Sequence, residues 1–81
     1  MKIGSKVNIS SPRDMYDADG EIIGETDCFW KVKVTNHQTM GIPWDDQKEE
    51  EKIFHKINNL EKGFSKGLNT GDFLQMYEVK K

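Results

Sequence analysis

Two histidines, one cysteine and 14 carboxylates are the groups in this 81-residue chain that could carry acid–base, nucleophilic or metal chemistry. Their spacing supports none of it. Cys28 follows Thr26-Asp27 and has no candidate base beside it, so it reads as a structural or merely tolerated thiol rather than a nucleophile. His37 and His55 stand among scattered carboxylates, fewer ligands than a metal site requires. There is no phosphate-cradling glycine loop and no nucleophile paired with a base. Adjacent carboxylates are trivial in a chain this acidic. No catalytic residue, metal or cofactor is expected. The groups left over suit binding. Tyr16, Phe29 and Trp44 can present aromatic surface, and Glu49-Glu50-Glu51 can present negative charge to a protein partner. Lys6, Arg13, Lys31 and Lys33 can line up as a basic stripe for phosphates.

The balance of the chain bounds these readings. Hydrophobic residues make up 35% and charged residues 32%, with a formal net charge of -2. The apolar residues are grouped periodically, which indicates a folded chain rather than a disordered one. A single domain spanning 1–81 with a small core is expected. The charge balance speaks mildly against nucleic acid, whose binders are usually basic. One cysteine excludes an internal disulfide and suits a reducing, cytoplasmic setting. No run approaches the ~20 apolar residues of a membrane span, and no apolar signal core opens the chain.

The elements that must position these groups are organised around Phe29–Val34. Trp30, Val32 and Val34 share one face and Lys31 and Lys33 the other, the period of a half-buried strand. A first strand is expected over Lys2–Ser10, stopped by Pro12. An acidic loop from Ser11 to Asp19 carries Tyr16, either as a lid over the end of a small barrel or as a contact residue on an exposed binding face. Asp19-Gly20 reads as a turn into a strand at Glu21–Glu25, with a bulge or bend at Gly24. Thr35–Thr39 reads as a polar hairpin loop, and Met40–Trp44 as a short edge strand limited by Pro43. Asp46 with Glu49 fits a capping box, and Ile53, Phe54, Ile57 and Leu60 fall on one helical face, so a helix is expected near 46–62. It would end near Gly63 with Phe64 folding back. A last strand is expected over Asp72–Lys80, apolar on both faces. The expected core is Val7, Ile9, Ile22, Trp30, Val32 and Ile42.

Ile3-Gly4-Ser5-Lys6-Val7-Asn8-Ile9 followed by Gly20-Glu21-Ile22-Ile23-Gly24 resembles the opening of KOW modules. Phe29–Val34 with Gly41-Ile42-Pro43 resembles the tryptophan strand and Gly-hydrophobic-Pro segment of Src-homology-3 domains, and Met15-Tyr16-Asp17 echoes their first aromatic loop. The resemblance covers most of 1–44 and the last strand. It implies a mainly β (α+β) fold: a small antiparallel Src-homology-3-like (KOW/Tudor-like) barrel of about five strands, here with a helix inserted before the last strand. Trp44-Asp45 stand where the family carries a tyrosine, which speaks against proline-rich peptide binding.

Two functions follow as expectations. One is a non-catalytic protein-binding module that uses Tyr16, Phe29, Trp44 and the acidic run, with the helix as brace or docking element. Its size and acidity suit a regulator or inhibitor of a larger machine, of the kind phages and plasmids encode. The alternative is a KOW/Tudor-like nucleic-acid binder that uses Lys6, Arg13, Lys31 and Lys33.

Overall fold

The computed structural model describes residues 1–11, 15–62 and 74–79. Among these residues six strands form one antiparallel sheet: β1 (Lys6–Ser11), β2 (Tyr16–Glu25), β3 (Phe29–Thr39), β4 (Ile42–Pro43), β5 (Glu50–His55) and β6 (Gln75–Glu78). The order is β4-β3-β2-β1-β6, and β5 pairs with β3 as well. β5 lies along Phe29–Val34 and β4 along Gln38–Thr39.

The period-two signal at Phe29–Val34 is realised. Trp30, Val32 and Val34 are buried together with Val7, Ile9, Ala18, Ile22, Phe54 and Met76. Leu60 is also buried. One cation covers the core's largest ring: Lys56 Nζ sits 4.5 Å from the centroid of Trp30 and 2.5 Å from a Glu25 carboxylate oxygen. Ile42, expected in the core, is 69% exposed at the sheet edge.

The helix expected near 46–62 does not form, and no helix occurs among the described residues. Residues 50–55 are a strand instead. The helical stripe needed Ile57 to face inward, yet Ile57 is 97% exposed in the turn after β5, while Phe54 and Leu60 are buried. The free edge of β3 decides the outcome. Its backbone donors and acceptors need partners, and β5 supplies them over six residue pairs. Charge sets the register. Lys33 lies opposite Glu51, and Lys31 Nζ reaches Glu51 at 3.0 Å.

The sheet is not the closed barrel expected either. It is a curled open sheet, and among the described residues no continuous ladder joins its edge strands β5 and β6. The segment after β5 crosses that gap by two isolated bridges, Phe54 with Glu61 and Leu60 with Gln75.

Other boundaries also differ from expectation. β1 begins at Lys6, and Ile3 is exposed. Asp19-Gly20 is not a turn but lies inside β2, which runs ten residues. Gly20 faces the core where two strands crowd it: a Cβ there would stand 2.9 Å from both Val7 Cγ2 and Val32 Cγ1. Thr35–Thr39 continues β3 rather than looping out. The bend expected at Gly24 is a register shift between Ile22 and Gly24. In β6, Met76 is buried and Tyr77 exposed, so one parity faces inward rather than both. The expected helix end at Gly63-Phe64, the following glycine loop, and Phe73 and Arg13 lie outside the described residues.

Candidate functional site

A β-bulge builds the site. Between Asp17/Gln38 and Asp19/Thr35, β3 carries one residue more than β2. Asn36 absorbs it at φ 55, and its side-chain amide donates to Asp19 Oδ2 at 2.9 Å. Asparagine tolerates this left-handed backbone better than most residues. The shift reverses the parity of β3. Trp30, Val32 and Val34 point inward, and beyond the bulge His37 and Thr39 take the inward positions.

At this end of the sheet the inward stripe turns polar. Ser11 ends the stripe of Val7 and Ile9 on β1, Tyr16 begins that of β2, and Glu50 and Lys52 precede Phe54 on β5. With Thr39, Trp44 and Leu74 these residues line a groove of about 380 Å³ at the mouth of the concave face.

Behind the groove His37 is fully buried and held on both ring nitrogens. Nε2 lies 2.7 Å from the Lys48 carbonyl, which can only accept, so Nε2 carries the proton. In that tautomer Nδ1 accepts from the Tyr16 hydroxyl at 2.5 Å. The indole of Trp44 stacks on the imidazole at 4.8 Å and 15°, and Tyr16 meets it at 5.4 Å and 45°. Trp44 Nε1 donates to Thr39 Oγ1 at 2.8 Å. Gln47 fills the gap in pairing between β4 and β5. Its Oε1 accepts from the His37 N–H at 2.8 Å, and its Nε2 donates to the carbonyls of His37 and Trp44 at 2.8 and 2.9 Å. One side chain thus stands in for a missing strand residue.

Negative charge gathers beside Tyr16. Lys52 Nζ is shared by Glu50 at 3.5 Å and Glu61 at 3.4 Å, two carboxylates to one ammonium. Burial pushes the Tyr16 phenol up to about 12, and the charges of Glu50, Glu61 and Asp17 add to the shift.

Tyr16, Trp44 and Glu50 are therefore brought together, while the other expected contact residues are not. Phe29 lies at the far end of β3, packed on His55 at 5.0 Å with Lys62 Nζ 5.3 Å above its ring. Glu51 points to the outer face toward Lys31. Glu49 lines a second groove with Lys6, Lys33, Asp19 and Glu21. The expected basic stripe is interleaved with acid. Lys6, Glu21, Lys33 and Glu51 form one cross-strand row over β1, β2, β3 and β5. Lys6 Nζ lies 2.6 Å from Glu21, whose carboxyl is held below its usual range by that hydrogen bond and charge.

His37, Gln47, Thr39, Ser11 and Lys52 were missed as site residues. Their signal was present in part: Ser11 continues the inward parity of Val7 and Ile9 on β1. The bulge that turns His37 inward has no comparable mark. Cys28 is exposed, and no cluster of three metal-ligating side chains occurs among the described residues. No helix among them is long and apolar enough to cross a membrane. The chain matches no protein-family model, no curated protein and no solved structure.

Proposed function

We propose that the chain is a non-catalytic protein-binding module that docks its partner at the polar mouth of the concave face, and that it acts as a small regulator or inhibitor of a larger machine. The observation that carries this reading is the choice of residues around the mouth. Trp44 is 40% exposed with its ring already fixed by His37 and Thr39, an aromatic anchor held in place before contact. At the same end of the sheet, Met15 and Met40 line a separate groove that shares Ser11 and Tyr16 with the mouth, and Met15, Met40 and Ile42 are 58%, 67% and 69% exposed. Met15 and Met40 hold φ of 52 and 55, a region that costs a non-glycine residue ~1 kcal/mol or more. Met40-Gly41 forms the two-residue connection between β3 and β4, where asparagine is the favoured first residue. A large flexible apolar side chain at such a position adds nothing to folding and suits an adaptable contact surface.

The nucleic-acid reading draws less support. Glu21 and Glu51 alternate with Lys6 and Lys33 across the strands, and a phosphate backbone would have to displace those carboxylates.

Affinity capture from the producing cell tests the proposal. A partner retained by the wild type and by Ile57→Asp, but lost with Trp44→Ala, is the expected result. Retention unaffected by Trp44→Ala would place the contact elsewhere.

A further inference from the structure

Two aromatic side chains line the mouth groove, and among the described residues Glu50, Glu61 and Asp17 bring negative charge to bear on Tyr16 at its wall, a combination that selects a cation. We propose that the groove takes an arginine side chain of the protein partner, its guanidinium stacked on Trp44 and hydrogen bonded to Glu50. This rests on the protein-binding reading and names the partner's chemistry. One face of the Trp44 indole lies on His37, and the residue also borders the groove. Glu50 and Glu61 share the single ammonium of Lys52, so a second cation finds a carboxylate only partly neutralised. The Glu50 side chain is 45% exposed and open to an incoming donor. The same carboxylates that oppose a phenolate on Tyr16 attract a cation beside it.

The fold already uses this chemistry at its opposite end. There the ammonium of Lys56 is held between the Glu25 carboxylate and the Trp30 ring. Glu50 and Trp44 offer the same pair of groups: Glu50 shares Lys52 with Glu61, and among the described residues no lysine lies over the Trp44 ring. Arginine fits better than lysine because the groove is open and its wall is flat. A planar guanidinium can stack on the indole while its edge donates to a carboxylate, whereas an ammonium has no plane to stack.

The test is a titration of ¹⁵N-labelled protein with Nα-acetyl-arginine amide, its neutral isostere Nα-acetyl-citrulline amide, and Nα-acetyl-lysine amide. The Trp44 indole N–H resonance is read, and that of buried Trp30 is the internal control. The expected result is a concentration-dependent shift at Trp44 with arginine, Trp30 unmoved. Lysine should give a weaker shift and citrulline little or none. Glu50→Gln should weaken the response about tenfold, in line with loss of a charged hydrogen bond. Glu51→Gln, which removes the same charge from the outer face, should leave it unchanged. An equal response to citrulline or lysine, or a stationary Trp44 resonance in the folded protein, would overturn the arginine assignment. If partner capture still depended on Trp44 in that case, protein docking would survive and only the arginine claim would fall.

Discussion

The Tyr16 hydroxyl donates to Nδ1 of His37 across 2.5 Å, joining the first inward residue of β2 to the bulge of β3. Because His37 is fully buried and its other nitrogen is taken by the Lys48 carbonyl, this bond is what satisfies Nδ1. Tyr16→Phe is expected to lower stability by ~1–3 kcal/mol, the cost of leaving a buried acceptor without its donor. A urea melt of the two proteins measures it.

The same phenol sets an alkaline limit. Its folded pKa is raised to about 12 from 10.0, so between those values the unfolded chain gives up a proton that the folded chain keeps. The Tyr16 contribution is therefore fully present below pH 10 and lost as pH rises through 12. Stability measured across that window should fall more steeply in the wild type than in Tyr16→Phe.

Met40 offers a trade between stability and binding. Met40→Asn places a residue suited to φ 55 before Gly41 and should gain ~0.5–1 kcal/mol. The same change removes exposed apolar surface from the groove that adjoins the mouth at Tyr16, so partner capture should weaken while the thermal midpoint rises. A parallel fall in both would remove the argument from backbone strain.

Residues 50–57 separate strand from helix by mutation. Phe54 is buried against β3, so Phe54→Ala should cost ~3–5 kcal/mol. Ile57 lies outside the core, so Ile57→Asp should change stability by less than ~0.5 kcal/mol. A helix with Ile53, Phe54, Ile57 and Leu60 on its inner face would make both changes severe. Denaturant melts of the two variants decide it.

The pleated parts of the chain were legible where one face is aliphatic: Val7 and Ile9, and Trp30 through Val34, each alternate as a strand must. Residues 50–57 were not, because Ile53, Phe54, Ile57 and Leu60 fit a helical period while Glu50, Lys52 and Phe54 also alternate as a strand. Local pattern could not choose between them. The unpaired edge of β3 and the match of Lys31 and Lys33 to Glu51 did, and both are tertiary facts. Gly20 misled in a similar way. Asp19-Gly20 has turn chemistry, but glycine stands there because Val7 and Val32 leave no room for a Cβ. Of the expected contact residues, Tyr16, Trp44 and Glu50 meet at one groove because of a bulge at Asn36 that nothing local announces.

Gly20 yields a prediction of its own. Gly20→Ala would set a methyl 2.9 Å from two valine methyls on neighbouring strands. Overpacking of this kind should destabilise by ~1–3 kcal/mol. Pairing it with Val7→Ala should recover part of the loss, and a double-mutant cycle on thermal melts measures that coupling.

Docking at the mouth is tested most directly by site-specific photocrosslinking in the producing cell. A benzoylphenylalanine would be placed either at Met40, in the β3–β4 connection at the same end of the sheet as the mouth, or at Ile57, beyond the opposite end of β3. A discrete protein adduct from position 40 and none from position 57 is the predicted result. Adducts of equal yield from both positions, or from position 57 alone, would contradict it.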